Sequence, residues 1–261
     1  MTYLRNSSRM PALFIGHGNP MNAITDNSYR NAWLALGKNL PKPKAILCIS
    51  AHWQTHGTQI CAAEKPQTIH DFGGFPAELF AQQYTAPGAP DYAKMVCNIL
   101  PANRITSTLD WGLDHGAWTV LQSLFPNADV PVFQLSLDVN LDFAGHFQLA
   151  KLLAPLREQG IMIIASGNIV HNLAKLNTQG TTPDWAIDFD SYIKKALESE
   201  DESALLNIAF AGDSASLAVP SDEHYLPLLY IAALRHNDDN LQFLTESFDL
   251  GSLSMRSVIY Q

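Results

Sequence analysis

Nine histidines are spread through 261 residues, and three of them stand directly behind short apolar runs. His17 follows Ala12–Ile15 within Gly16-His17-Gly18-Asn19-Pro20, and His52 closes the run Ala45–Ala51. His171 follows Ile161–Ala165 through Ser166-Gly167-Asn168-Ile169-Val170. Imidazole binds zinc, iron, copper and nickel, and it moves protons near neutral pH. In a largely parallel sheet the carboxyl ends of the strands open on one edge, so these three rings would converge there. Glycines beside His17 and before His171 let the chain turn sharply as it leaves a strand. A fourth ring, His224, sits in Ser221-Asp222-Glu223-His224-Tyr225, at the start of an apolar helix that would hold it rigidly. His56, His146 and His236 have no such setting and are expected at the polar surface.

Two more strings mix aromatic rings, glycines and ionisable groups. They are Ile69-His70-Asp71-Phe72-Gly73-Gly74-Phe75-Pro76 and Gly112-Leu113-Asp114-His115-Gly116-Ala117-Trp118. Loops of this kind build aromatic-walled pockets with a few polar contacts. Asp71 or Asp114 would suit the task of orienting a ligand histidine from behind. The plain alternative is that Phe72, Phe75 and Trp118 are core and the glycines are turns.

The remaining chain narrows the chemistry. It holds no G-x-G-x-x-G and no G-x-x-x-x-G-K-[ST] string, so nothing suggests a nucleotide cofactor. It also lacks the G-x-S-x-G elbow and the H-E-x-x-H zinc helix. Sixteen Lys and Arg against 25 Asp and Glu leave a net charge of −9, which argues against nucleic acid and against an anionic membrane surface. No stretch reaches the roughly 20 apolar residues that span a bilayer. Cys48, Cys61 and Cys97 show no disulfide or zinc-knuckle spacing and point to a cytoplasmic setting.

These side chains need a frame. Ala12–Ile15, Ala45–Ser50, Val132–Leu137 and Ile161–Ala165 are nearly continuous apolar runs, the pattern of strands covered on both faces. Edge strands are expected at Thr58–Ala63, Leu241–Thr245 and Leu253–Tyr260. Helices are expected after Asp26, over Asp91–Leu100, after Asp142 with a break at Pro155 and a stop at Gly160, over Trp185–Leu197, and over Tyr225–Leu234. The last is apolar all round and should be buried. The acidic stretch Glu198–Ser203 reads as a solvated helix end. No linker divides the chain, so residues 1–261 read as one catalytic domain. The expected fold is an α/β single-domain sandwich, with a central mixed, largely parallel sheet flanked by helices.

In combination the strings resemble the class III extradiol dioxygenase superfamily, and within it the bacterial and plant 4,5-DOPA extradiol dioxygenase family. The resemblance rests on Phe14–Met21, Ile49–Trp53, Thr68–Pro76, Gly112–Trp118, Ala165–Leu173 and Glu223–Leu228, which run in that family's order. It implies a divalent metal held by His17, His52 and His224, with Fe(II) for turnover and Zn(II) possible in the isolated protein. It implies His171 and His115 acting on the substrate, with His171 as an alternative fourth ligand when zinc is bound. Asp71 and Phe72 would contact a small aromatic catechol such as DOPA, which O2 would open. The competing readings are a zinc-dependent hydrolase on the same scaffold and a binding protein that has lost its metal.

Overall fold

The computed structural model describes residues 9–101, 104–178 and 181–261. The first strands are β1 (Ala12–Gly16), β2 (Ala45–Thr55), β3 (Thr58–Cys61), β4 (Ile105–Thr108), which the sequence did not announce, β5 (Val132–Asp138) and β6 (Ile161–Gly167). β7 (Leu241–Leu244), β8 (Phe248–Asp249), β9 (Leu253–Ser254) and β10 (Ser257–Tyr260) follow. Eight of them make one sheet in the order β4-β3-β5-β2-β6-β1-β10-β7, and β8 pairs with β9 alone. The central strands β5, β2, β6 and β1 are mutually parallel. β4 runs parallel to β3, whereas β3 meets β5, and β10 meets both β1 and β7, in antiparallel pairs. The expected mixed, largely parallel sheet is therefore present.

Successive strand residues face opposite sides of a sheet, and here both sides are dry. Leu13, Ile15, Ile46, Cys48, Met162 and Ile164 pack on one layer, with α1 (Ser28–Gly37) and α4 (His115–Leu124). α2 (Ala77–Phe80) lies on the same side, through Leu79. Phe14, Leu47, Ile49, Ile163 and Ala165 pack on the other, with α3 (Pro90–Ile99), α5 (Phe143–Lys151) and α6 (Pro155–Glu158). That layer is completed by α7 (Asp184–Ser199), α8 (Glu202–Leu206), α9 (Asp213–Ala218) and α10 (Leu226–Ala233). Continuous apolar runs are what double burial demands. α10 is buried along nearly its whole length, as its all-apolar sequence requires.

Several expectations shift. Leu253–Tyr260 is not one edge strand. Its first part pairs with β8, and its second part, β10, is buried between β1 and β7. β3 lies one place inside the edge, which β4 occupies. Asn27 rather than Asp26 caps α1, accepting from Arg30 N at 2.9 Å. Asp142 caps α5 as expected, and Pro155 opens the separate turn α6 after α5 has ended at Lys151. His56 and His236 are exposed, but His146 is fully buried, with its Nδ1 3.0 Å from the Tyr230 hydroxyl. It lies on the inner face of α5, where the helix packs on α10. Among the described residues no helix is long and apolar enough to cross a membrane.

Candidate metal centre

The carboxyl ends of β1, β2 and β6 lie side by side at the middle of the sheet, and the histidines meet there. His17 leaves β1 at once, and its N–H donates to Gly167 O at the end of β6. His52 projects from β2 itself, which runs on to Thr55. His224 lies in the turn just ahead of α10, with its carbonyl accepting from Asn168 N at 2.9 Å. A Cβ on Gly167 would stand 2.2 Å from that carbonyl oxygen, so the β6–α10 approach requires glycine. His171 ends the loop after β6 and donates its backbone N–H to Ala218 O.

The ring centres of His17, His52 and His224 form a nearly equilateral triangle, with sides of 5.2, 5.1 and 5.0 Å. His17 Nε2 and His52 Nε2 approach to 3.3 Å. His115, the first residue of α4, lies 3.8 Å from the His52 ring centre and 5.9 Å from that of His17. His171 stacks on His224, with centres 3.4 Å apart and planes 8° from parallel. Ligand atoms of His17, His52 and His115 lie within 4.8 Å of one another, as do those of His171, Glu223 and His224.

Asp71 joins this group from the loop after Thr68. Its Oδ1 accepts the His115 backbone N–H at 2.9 Å and lies 3.0 Å from His115 Nδ1, too poorly aligned for a hydrogen bond to the ring. Its Oδ2 is 4.0 Å from His52 Nδ1. Phe72 meets His115 edge to face, with ring centres 5.5 Å apart, and continues into Phe75, Phe80 and Trp118, an aromatic wall on one side of the histidines. The structure thus brings His17, His52, His115, His171, His224, Asp71 and Phe72 to one place.

Burial favours the neutral form of His17, His52, His171 and His224. It drives His17 and His224 well below the ordinary histidine range, reinforced by the neighbouring imidazoles. It lowers His52 to about 3 and His171 to about 4. Burial opposes the charge of Asp71, yet the contacts from His115 outweigh it and hold the carboxyl below its usual range.

Neutral imidazoles are the donors a transition metal requires. The orphaned groups agree: His224 Nδ1 is buried without a hydrogen-bond partner, and two imidazole nitrogens face each other at 3.3 Å. With metal–nitrogen bonds of about 2.1 Å and each ring centre about 1.1 Å behind its nitrogen, imidazoles sharing an ion sit roughly 4.5–5.2 Å apart. The residues present fit a metal ion.

Of the layer behind the rings, sequence reasoning named Asp114 but not the serines, Gln134 and Asn168 that connect it. Asp114, fully buried, caps α4 and accepts from Ala117 N at 3.1 Å, from Ser50 Oγ at 2.6 Å and from Gln134 Nε2. Ser50 Oγ in turn accepts His52 N at 3.2 Å. Ser166 Oγ contacts His17 Nδ1 at 2.8 Å and donates to Gly116 O at 2.6 Å. Asn168 accepts from Gly18 N and donates to Ser254 O. Ser50, Ser166 and Asn168 lie inside strings the sequence singled out, though for their histidines; Gln134 is an ordinary strand residue with no local signal.

An α/β sandwich carrying clustered neutral histidines at the carboxyl edge of its strands defines a metal-dependent enzyme. Residues 12–252 match the family described as the catalytic LigB subunit of aromatic ring-opening dioxygenase, and the chain belongs to that family. It is 44% identical to an Escherichia coli (strain K12) protein named 4,5-DOPA dioxygenase extradiol, over 98% of this chain and 96% of that one. It is 36% identical to a Beta vulgaris protein of the same name, over 94% of each. A crystal structure of an uncharacterized Escherichia coli K12 protein superposes with a TM-score of 0.85 at 40% identity, over 97% of this chain and 100% of that one. The chain is an extradiol dioxygenase of this family, an oxidoreductase that works with a metal, a small aromatic substrate and O2.

Proposed function

We propose that the chain opens a small catechol such as DOPA, at its 4,5 bond, with O2 and an Fe(II) ion held by His17, His52 and His224. The carrying observation is the near-equilateral triangle of those three rings. The ligand atoms of His115 also lie within 4.8 Å of those of His17 and His52, but its ring centre, 3.8 Å from that of His52 and 5.9 Å from that of His17, departs further from the even spacing of shared ligands. Glu223 groups with His171 and His224 and not with His17 and His52, which favours the histidine of the pair 223–224 as the ligand. Bound Fe(II) would acidify the catechol hydroxyls and supply electrons to O2.

The chain's own groups do the rest. An imidazole binds a metal in its ring plane, and the nearly parallel stack puts His171 about one ring thickness away from the plane of His224. His171 is therefore assigned as acid and base, and not as a fourth ligand. It starts neutral, so its lone pair can take the remaining catechol proton and return it as the ring opens. Asp71 holds His115 at the N-terminus of α4, where His115 can hydrogen-bond the substrate or O2. Phe72 provides a face or edge for the aromatic ring. The whole of residues 1–261 is taken as one catalytic domain, and three free cysteines, two of them buried, suit the cytoplasm.

The test is anaerobic Fe(II) loading, followed by a catechol panel in air with O2 uptake and product absorbance recorded together. Expected are stoichiometric O2 consumption and a coloured semialdehyde with iron, and neither with zinc. Ester or amide hydrolysis by the zinc form without O2 uptake would replace this reading with the hydrolase.

A further inference from the structure

The polar contacts behind the centre determine a proton's position. Ser50 and Ser166 are register partners on the adjacent strands β2 and β6, and both are fully buried. Both hydroxyls point into the first turn of α4, Ser50 to Asp114 Oδ1 and Ser166 to the carbonyl oxygen of Gly116, each at 2.6 Å. A hydroxyl has one hydrogen to donate. Ser166 directs it at Gly116 O, which can only accept. The 2.8 Å contact with His17 therefore runs the other way, with Nδ1–H of His17 donating to Ser166 Oγ. The remaining ring nitrogen, Nε2, then carries only a lone pair, and it is the nitrogen that faces His52 Nε2 at 3.3 Å.

We propose that Ser166 is a positioning residue that locks His17 in its Nδ1–H tautomer and so presents the Nε2 lone pair to the metal. A free neutral histidine side chain prefers its proton on Nε2, the form in which that nitrogen cannot ligate. The partner of the other ring nitrogen sets tautomer, orientation and basicity at metal-binding histidines. The lock is rigid because Gly116 O cannot wander: Asp114 ties the same helical turn to β2 through Ser50 and to β5 through Gln134. The purpose of the lock rests on His17 being a ligand, as proposed above.

The experiment uses metal-free protein labelled with 15N-histidine, in which two-bond 1H–15N correlations read the tautomer. His17, identified by comparison with His17→Gln, is expected to show a protonated Nδ1. Ser166→Ala should lose that pattern, and Ser166→Thr, which keeps the hydroxyl, should retain it. In parallel, Zn2+ titration against a competing chelator should show Ser166→Ala weakened by about 10- to 100-fold, with Ser166→Thr near wild type. An Nε2–H pattern for His17 in the wild type overturns the proposal, and so does unchanged tautomer and affinity in Ser166→Ala. Should Ser166→Ala fail to fold, the wild-type spectrum decides alone. A wild type that shows the Nδ1–H pattern but binds no zinc or iron overturns the ligand assignment of His17 and supports the lock.

Discussion

Gly116→Ala isolates the contact between α4 and the histidine cluster. A Cβ at this second residue of the helix would stand 2.5 Å from Ser50 Oγ, 2.9 Å from His52 Cδ2 and 3.3 Å from Asp114 Oδ1. Carbon atoms settle at about 3.5 Å or more, so the His52 ring must retreat by roughly 0.6 Å and Ser50 by more. Neither is the free end of a flexible side chain: Ser50 is bound to Asp114, and His52 is part of β2. Overpacking of this kind costs about 1–3 kcal/mol, and alanine's better helix propensity returns up to about 1 kcal/mol. The net loss of about 1–2 kcal/mol should lower Tm by roughly 2–8 °C in a chain of this size. Activity should suffer more. Catalytic groups tolerate about 0.5 Å of displacement, and about 1 Å costs a hundredfold, so kcat/KM for catechol cleavage should fall about 10- to 100-fold. Iron-loaded wild type and variant are compared by initial rate and by thermal melt in the same buffer. Wild-type kcat/KM with an unmoved Tm would refute the close approach of α4 to His52.

Other outcomes follow from single contacts. His171→Ala should keep its iron content, measured by metal analysis, while ring cleavage drops by at least about 100-fold, the usual scale of a lost acid–base group. Burial holds His146 at about 4, against the partial support of Asp138. Below pH 6.5 the unfolded chain takes up a proton that the folded one refuses, so stability present above pH 6.5 is lost on the way down to pH 4, by about 3 kcal/mol. Urea melts at pH 7 and pH 4.5 check this, and His146→Gln should flatten that part of the pH dependence. Arg157, almost fully buried, donates to Met10 O, Leu234 O and Tyr260 O and pairs with Asp239. Arg157→Met strands those groups, and denaturant melts should show a loss of about 3–5 kcal/mol, with kcat per folded molecule unchanged.

The strands of the sheet's centre were readable because two covered faces leave an unbroken apolar run; His17, His52 and His171 were readable because each follows such a run, and His224 because it opens an apolar helix. The convergence of His17, His52 and His171 needed only the parallel neighbours β2, β6 and β1. What escaped depends on partners distant in sequence. Ser50 and Ser166 lie in strings singled out for their histidines, and their own part emerges only when β2 and β6 lie in register and a helix starting at His115 arrives above both. His146 looked like a surface residue because it follows no strand and opens no helix, and only the packing of α5 against α10 reveals Tyr230 as its partner. β4 is a short, mostly polar run that owes its place to β3. The break at Met255–Arg256 that divides Leu253–Tyr260 comes from Arg256 turning back to Asp190, a contact 66 positions away.

The antiparallel pairing of β1 with β10 sets Ala12 opposite Tyr260. Stretches almost 250 positions apart in the gene are thus adjacent in space, and Arg157 clasps both by bonding Met10 and Tyr260. A short bridge between them would turn the backbone into a loop that can be opened elsewhere, for example at the exposed turn around Glu200, which ends α7 and pairs with Arg235 past the end of α10 opposite to His224. The order in which a ribosome delivers these segments is therefore largely separable from the architecture they build, and circular permutants offer a way to attach reporters without disturbing the catalytic edge.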